Sequence, residues 1–281
     1  MSTIIDLYSS LEADARLQRA WRENQGSRDR CLEAPLIVKT PREVATAALV
    51  WLKLKFDPEF KDSQKLIPEE DLLDWAYRNR KDRCIGGPRL VNLCRNPAAT
   101  EEERQSAIAS LLFYRDRFTK NPLVRTDWSD VGLQSLAASA PQDVVAPLLK
   151  VTSKYAPMGV IGVAQLLCTP PDVISYPLPK IPGVGEERSD AIGVFGFRQG
   201  WPITDENLWQ LCAVHGLLNP TQAAATSYKE RRKQFQPHWE ALTNARPQID
   251  PSELAATLYL WANEAGRYRF RYWHTAPLSV D

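Results

Sequence analysis

The chain has 281 residues, 44% of them apolar, and a formal charge of +1 at pH 7. That composition is ordinary for a globular protein and can bury a sizeable core in one large domain or two closely packed ones. The near-zero charge counts against an overall basic surface, so any polyanion would have to be met by locally segregated charge.

Five cysteines (Cys31, Cys84, Cys94, Cys168 and Cys212) are odd in number and widely spaced. They read as free thiols in a reducing compartment, not as a disulfide or metal framework. His215, His238 and His274 share no metal-ligand spacing. No run of about 18 apolar residues exists, so no membrane span is expected. Met1–Asp14 carries early acids and no long apolar run, so no signal peptide is expected. These readings place the protein in the cytoplasm, associated with the nucleoid if it is bacterial.

In chain order, Ile4, Leu7, Tyr8, Leu11, Ala15 and Leu17 recur at helical spacing and predict a helix over 3–23. Gly26–Arg30 makes a polar break. Thr40-Pro41-Arg42-Glu43 is a helix start, with Thr40 as cap, Pro41 at the first position and Glu43 completing a capping box. From Asp57 to Ala99 the pattern is less regular. It suggests a helix at Glu69–Asn79, a break at Gly86-Gly87-Pro88 and a short apolar turn at Leu90–Cys94. Thr100-Glu101-Glu102-Glu103 caps a helix carrying Ile108, Leu111, Leu112 and Phe113. A second capped helix is expected from Pro141, with Ser139 or Ala140 at the cap, leading to Leu148-Leu149. Lys154-Tyr155-Ala156-Pro157 then precedes an apolar helix over Val160–Leu167, which Pro170-Pro171 and Pro177–Pro182 stop.

Next comes Ile181-Pro182-Gly183-Val184-Gly185, a tight turn whose two glycines leave no Cβ in the way of an approaching group. An amphipathic stretch with Ala191, Ile192, Val194 and Phe195 follows, and the whole reads as helix, glycine hairpin, helix. The second helix begins with free N–H groups and a positive dipole end, which favour a phosphate. Twenty positions after Gly185 stands Asp205, in Pro202-Ile203-Thr204-Asp205-Glu206-Asn207, ahead of a helix with Leu208, Leu211 and Val214. Taken alone, the glycines make an ordinary loop and Asp205 an N-cap. An N-cap also lowers a carboxylate pKa and keeps it charged, so capping and catalysis are compatible. Further helices are expected from Asn219-Pro220 to about Phe235 and from Pro251 to Gly266, the latter opened by Asp250-Pro251-x-Glu253. Lys229, Arg231, Arg232 and Lys233 form one basic cluster, and Arg267, Arg269 and Arg271 another. Either cluster fits a solvated face or a binding site. The stretch Tyr268–Trp273 alternates aromatic and basic residues.

Ile-Pro-Gly-Val-Gly, an amphipathic helix, and Pro-x-x-Asp-x-Asn at this distance resemble the helix–hairpin–helix DNA glycosylase superfamily. That superfamily includes endonuclease III, the mismatch adenine glycosylase and the alkyladenine glycosylases. The likeness covers about Gln105–Arg267 and is best between Leu178 and Leu218. It implies an all-α, two-lobed fold with a groove that holds a flipped base. Residues 1–100 would be an N-terminal helical region packed partly on the C-terminal lobe. Residues 101–218 would be a helical core with the motif at about 178–200, and 219–281 the C-terminal lobe.

The resemblance implies that Asp205 is catalytic and that Gly183, Val184, Gly185, Arg188 and Asn207 contact DNA. It implies a structural K+ or Na+ at the backbone of Ile181 and Val184, and base-pocket or wedge roles for Tyr114, Arg115 and Tyr155. Asp57–Ala99 matches no part of the family, and Arg78, Arg80, Lys81, Arg83 and Arg89 in it fit either a DNA-facing patch or a solvated segment. No cysteine follows Cys212, so the iron–sulfur cluster of many relatives is not expected, nor any other cofactor. Ala109 falls where the adenine enzyme has a catalytic glutamate, and Glu187 where strand-nicking relatives have a Schiff-base lysine. The expected activity is that of a monofunctional N-glycosylase, a monomer on double-stranded DNA, which flips out and excises a damaged, mismatched or modified base. Asp205 would stabilise the oxocarbenium-like transition state or activate water. Glu186 and Glu187, acids beside the phosphate position, depart from the family pattern. They leave two alternatives: a non-catalytic DNA-binding scaffold of the same fold, and a glycosylase for bulky modified bases in foreign DNA.

Overall fold

Two helices, not one, open the chain. The computed structural model describes residues 3–12, 14–37, 40–64, 68–79, 86–119, 127–151, 153–225 and 227–267. In it α1 (Ile4–Glu12) stops, and α2 (Ala15–Asn24) starts afresh on Asp14, whose carboxylate accepts the Arg16 N–H. Every regular element among the described residues is helical, so the all-α expectation holds.

These residues divide into two compact units, and the division does not follow boundaries at 100 and 218. One unit comprises 1–30, 175–179 and 185–281; the other comprises 31–174 and 180–184. In the first, α15 (Pro251–Arg267) packs against α2, α1, α11 (Glu186–Phe197) and α12 (Glu206–Val214). Helix α14 (Tyr228–Ala245) packs against α1 and α11. Leu11, Phe195, Phe235, Leu254 and Leu258 form a shared core that is almost wholly buried. Pro220 starts only the short α13 (Pro220–Ala223), and α14 begins on its own cap, where Ser227 Oγ accepts the Glu230 N–H.

The second unit is built around α4 (Arg42–Phe56), which packs against α5 (Pro58–Gln64), α8 (Glu101–Thr119) and α9 (Asp130–Ala137). Its residues from Ala47 to Leu54 are buried without interruption, as expected of a helix surrounded by others. The start of α4 differs in detail from the capping-box reading: the helix begins at Arg42 after Pro41, which makes no side-chain cap bond. The Thr100 box is present, with Glu103 accepting the Thr100 N–H and Thr100 Oγ1 accepting the Glu103 N–H. Helix α3 (Arg28–Glu33) falls at the expected polar break, and α6 (Glu69–Arg78) follows expectation closely. Residues Leu90–Cys94 lie in a full helix, α7 (Gly87–Arg95), opened by Gly86 in the left-handed region and Pro88.

One expected helix is missing. Pro141–Val144 makes a single 3-10 turn and ends there; Pro147, six positions on, would clash with a continuing helix. The next helix, α10 (Ala156–Leu167), packs on α9.

Candidate active site at Asp205

The glycine turn comes first in the chain. Val184 donates its N–H to the Ile181 carbonyl at 3.0 Å, which closes the turn. Gly183 has φ +76°, the left-handed region, and a Cβ there would meet the Tyr155 Cβ at 2.9 Å. Gly159 lets α10 approach the same turn, since a Cβ on it would lie 2.7 Å from the Pro182 carbonyl oxygen. The turn is therefore seated on the start of α10, and Tyr155, 46% exposed, is part of that seat. The Val184 amide is committed within the turn, and the Ile181 carbonyl already accepts one bond.

The helix ahead of the glycine turn ends well before it. Helix α10 ends at Leu167, and the 3-10 turn Pro171–Val173 is the last helical element ahead of the hairpin. The chain between them is irregular, with a bend and a cis peptide bond at Tyr176-Pro177. Gly185 then N-caps α11 in extended backbone, and a Cβ there would meet nothing within 4 Å. Glu186 is exposed, and Glu187 and Arg188 are half-buried in the first turn.

Asp205 N-caps α12 and is 6% exposed. Its Oδ1 accepts the Leu208 N–H at 2.8 Å. Its Oδ2 accepts from Asn263 Nδ2 at 3.3 Å, and the same amide's other N–H serves the Tyr259 carbonyl at 2.9 Å. Burial pushes the carboxyl up to about 6, and the Glu187 charge adds to that. The Leu208 N–H, Asn263 and the Arg231 charge oppose the rise without cancelling it. The cap alone would keep the group well below the usual carboxylate range; desolvation wins. At pH 7 the ionised form still leads by about tenfold. Arg231, 8% exposed, donates from Nε to the Thr204 carbonyl at 3.0 Å and so braces the residue before Asp205. Asn207 sits half-buried in the first turn of α12.

A second buried carboxylate was not anticipated. Asp190, on α11 and 3% exposed, accepts from the Tyr176 hydroxyl and, at 2.6 Å, from the Tyr228 hydroxyl. Burial raises its pKa. Arg232 lies 3.5 Å from it and donates to the Tyr176 hydroxyl oxygen at 2.6 Å. A sequence signal existed: an acid between Ser189 and the apolar Ala191-Ile192 pair stands at the edge of the buried stripe. Its three partners come from distant positions and give none.

Tyr114 and Arg115 lie half-buried on α8, with the Tyr114 ring 5.4 Å from that of Phe113. They and Tyr155 belong to the second unit, whereas Asp205, Asn207, Gly185 and Arg188 belong to the first. Lys229 and Lys233 are exposed, in contrast to Arg231 and Arg232. Arg78 pairs with Asp74 at 3.2 Å, and Arg89 is exposed. Arg80, Lys81, Arg83, Cys84 and the stretch Tyr268–His274 lie outside the described residues, as does the side chain of Arg267. Among the described residues, Cys94 and Cys212 are buried free thiols. No three His, Cys, Asp or Glu side chains gather there as metal ligands, and no helix is long and apolar enough to cross a membrane. Comparison with family models, curated proteins and solved structures gives no match.

Proposed function

We propose that the protein is a monofunctional DNA N-glycosylase of the helix–hairpin–helix superfamily, with Asp205 as its catalytic residue. The observation that carries this reading is the state of Asp205: buried, held by a helix end, and with a pKa of about 6. Base excision leaves a cationic sugar behind, and a desolvated carboxylate stabilises that charge more strongly than one in water. One oxygen is fixed by the Leu208 N–H, while Asn263 holds the other at 3.3 Å. That second oxygen is the one to face the sugar or take a proton from water.

The glycine turn and Gly185 support the DNA-binding half of the proposal. Gly183 occupies a backbone conformation that other residues resist, and a Cβ at Gly185 would meet nothing within 4 Å. The N–H groups at the start of α11 would receive a phosphate there. Glu187 cannot form an imine, so strand cleavage is not expected. Ala109 is fully buried on α8 and offers no acid to protonate a leaving adenine.

The exposed Glu186, beside the proposed phosphate position, favours a second reading, a DNA-binding scaffold without catalysis. The test is base release from duplexes bearing uracil, mismatched thymine, 8-oxoguanine, alkylated purines or bulky hydroxymethylcytosine derivatives, with alkali to reveal abasic sites. Alkali-dependent breaks on one of them support the glycosylase and name its base. Breaks without alkali contradict the monofunctional assignment, and duplex binding with no release from any of them favours the scaffold.

A further inference from the structure

We infer that Arg231 and Arg232, neighbours on α14, are positioning residues, the first for Asp205 and the second for α11, and that neither is a phosphate contact. The inference rests on the function proposed above only for its effect on activity.

A run of Lys229, Arg231, Arg232 and Lys233 reads as a basic surface, yet the helix turns its two arginines inward. Arg231 is 8% exposed, and its Nε bond to Thr204 O fixes the residue that precedes the cap. Arg232 is held on three sides. It donates to the Tyr176 hydroxyl at 2.6 Å, faces the Asp190 carboxylate at 3.5 Å, and lies 4.7 Å from the centre of the Trp201 ring. Trp201 stacks on Tyr176 at 5.3 Å with the ring planes 16° apart. Tyr228, also on α14, completes the set through its bond to Asp190. Tyr176 precedes the hairpin, Asp190 is on α11 and Trp201 follows it. The cluster thus ties both flanks of α11 and its middle to one helix. A guanidinium already occupied by a carboxylate, a phenol and a ring has little left to offer a phosphate.

Among the described residues, the charged and titratable groups around Asp205 include Glu187 from α11, Arg231 from α14, Tyr259 from α15, which also faces Arg30, and Cys212 on its own helix, and Asn263 from α15 adds a hydrogen bond. The Arg231 charge acts on Asp205 in opposition to its burial, so its removal should raise the Asp205 titration further. The experiment follows the Asp205 carboxyl carbon by NMR against pH in wild type, Arg231→Met and Arg231→Lys, with folding checked by circular dichroism. The expected result is a midpoint near 6 in wild type, a higher one in Arg231→Met and a return toward wild type in Arg231→Lys. An unchanged midpoint in Arg231→Met overturns the assignment. If that variant does not fold, Arg231→Gln, which keeps a hydrogen-bond donor without the charge, takes its place under the same criterion.

For Arg232 the readout is the salt dependence of duplex binding. Arg232→Gln should weaken binding with no change in the slope of log Kd against log salt. Replacing Lys229 and Lys233 by Gln should lower the slope by about one for each phosphate lost. A slope lowered by about one in Arg232→Gln makes it a phosphate contact and overturns its assignment. If wild type binds no duplex, the proposed function fails while the Asp205 titration still decides the role of Arg231.

Discussion

Burying a carboxylate costs free energy, and at Asp205 two hydrogen bonds offset only part of it. The sign follows from linkage. Its folded pKa of about 6 lies above the ordinary 3.8, so the folded state holds its proton more tightly than the unfolded one. That contribution is fully present below about pH 4 and is lost as pH rises through 6, a loss on the order of 2–3 kcal/mol. Asp205→Asn keeps an N-capping side chain without the charge. Its melting temperature should match wild type near pH 4 and exceed it at pH 7 to 8 by several degrees; a lower value at pH 7 would mean the carboxylate stabilises the fold. The same titration sets the pH profile of a catalytic Asp205. Base release should fall about tenfold per unit below pH 6 and level off above it. The two glycines separate in the same way. Gly183→Ala meets a positive φ and the Tyr155 Cβ at 2.9 Å, so thermal melts should show a loss of about 1–3 kcal/mol. Gly185→Ala meets open space, so it should melt like wild type and lose affinity for duplex DNA. Both glycines and Asp205 were legible as residues of interest because their spacing is local. Burial was not legible, and it reversed the direction of the Asp205 pKa expected from its cap.

At the scale of elements, Asp57 joins three helices in the second unit. It closes α4, caps α5 by accepting the Phe60 N–H, and accepts both the N–H and the hydroxyl of Ser129. Ser129 in turn caps α9 through the Gly132 N–H. Asp57 is 1% exposed, and removing its side chain orphans one buried donor and two half-buried ones. Asp57→Ala should therefore lower stability in chemical denaturation by about 3 kcal/mol or more. An effect below about 1 kcal/mol would mean that water takes over these bonds. A Cβ at Gly132 would sit 2.5 Å from the Asp57 carboxyl carbon, which explains a glycine inside an otherwise ordinary helix. Helices with strong local signals, such as α6, α8 and α15, were readable from periodicity and caps. The failures have local causes that periodicity hides. Asp14 restarts the first helix in mid-pattern, and Pro147 leaves the Val144–Leu149 run without a helix. Gly87-Pro88 looks like a break but opens α7, because proline is welcome in a first turn.

Over the whole molecule, the chain returns on itself: residues 1–30 share a core with 185–281. Hydrophobic patterning reports which face of a segment is buried and not against what. The boundaries at 100 and 218 therefore followed local breaks in the chain, and the all-helical class was readable where the partition was not. Charge behaves similarly. A net +1 gives no overall attraction for DNA, so under the proposed function binding would come from placed groups such as Arg188, Lys229, Lys233 and the N–H groups at the start of α11. That predicts weak binding that fades steeply with salt. Catalysis by Asp205 is the central claim, and the direct measurement compares wild type with Asp205→Asn on whichever duplex wild type processes, under single-turnover conditions, with affinity measured alongside. A catalytic Asp205 requires a fall in base release of about a hundredfold or more with duplex affinity within a few-fold of wild type. Base release by Asp205→Asn at the wild-type rate would contradict it and leave Asp205 as a helix cap alone.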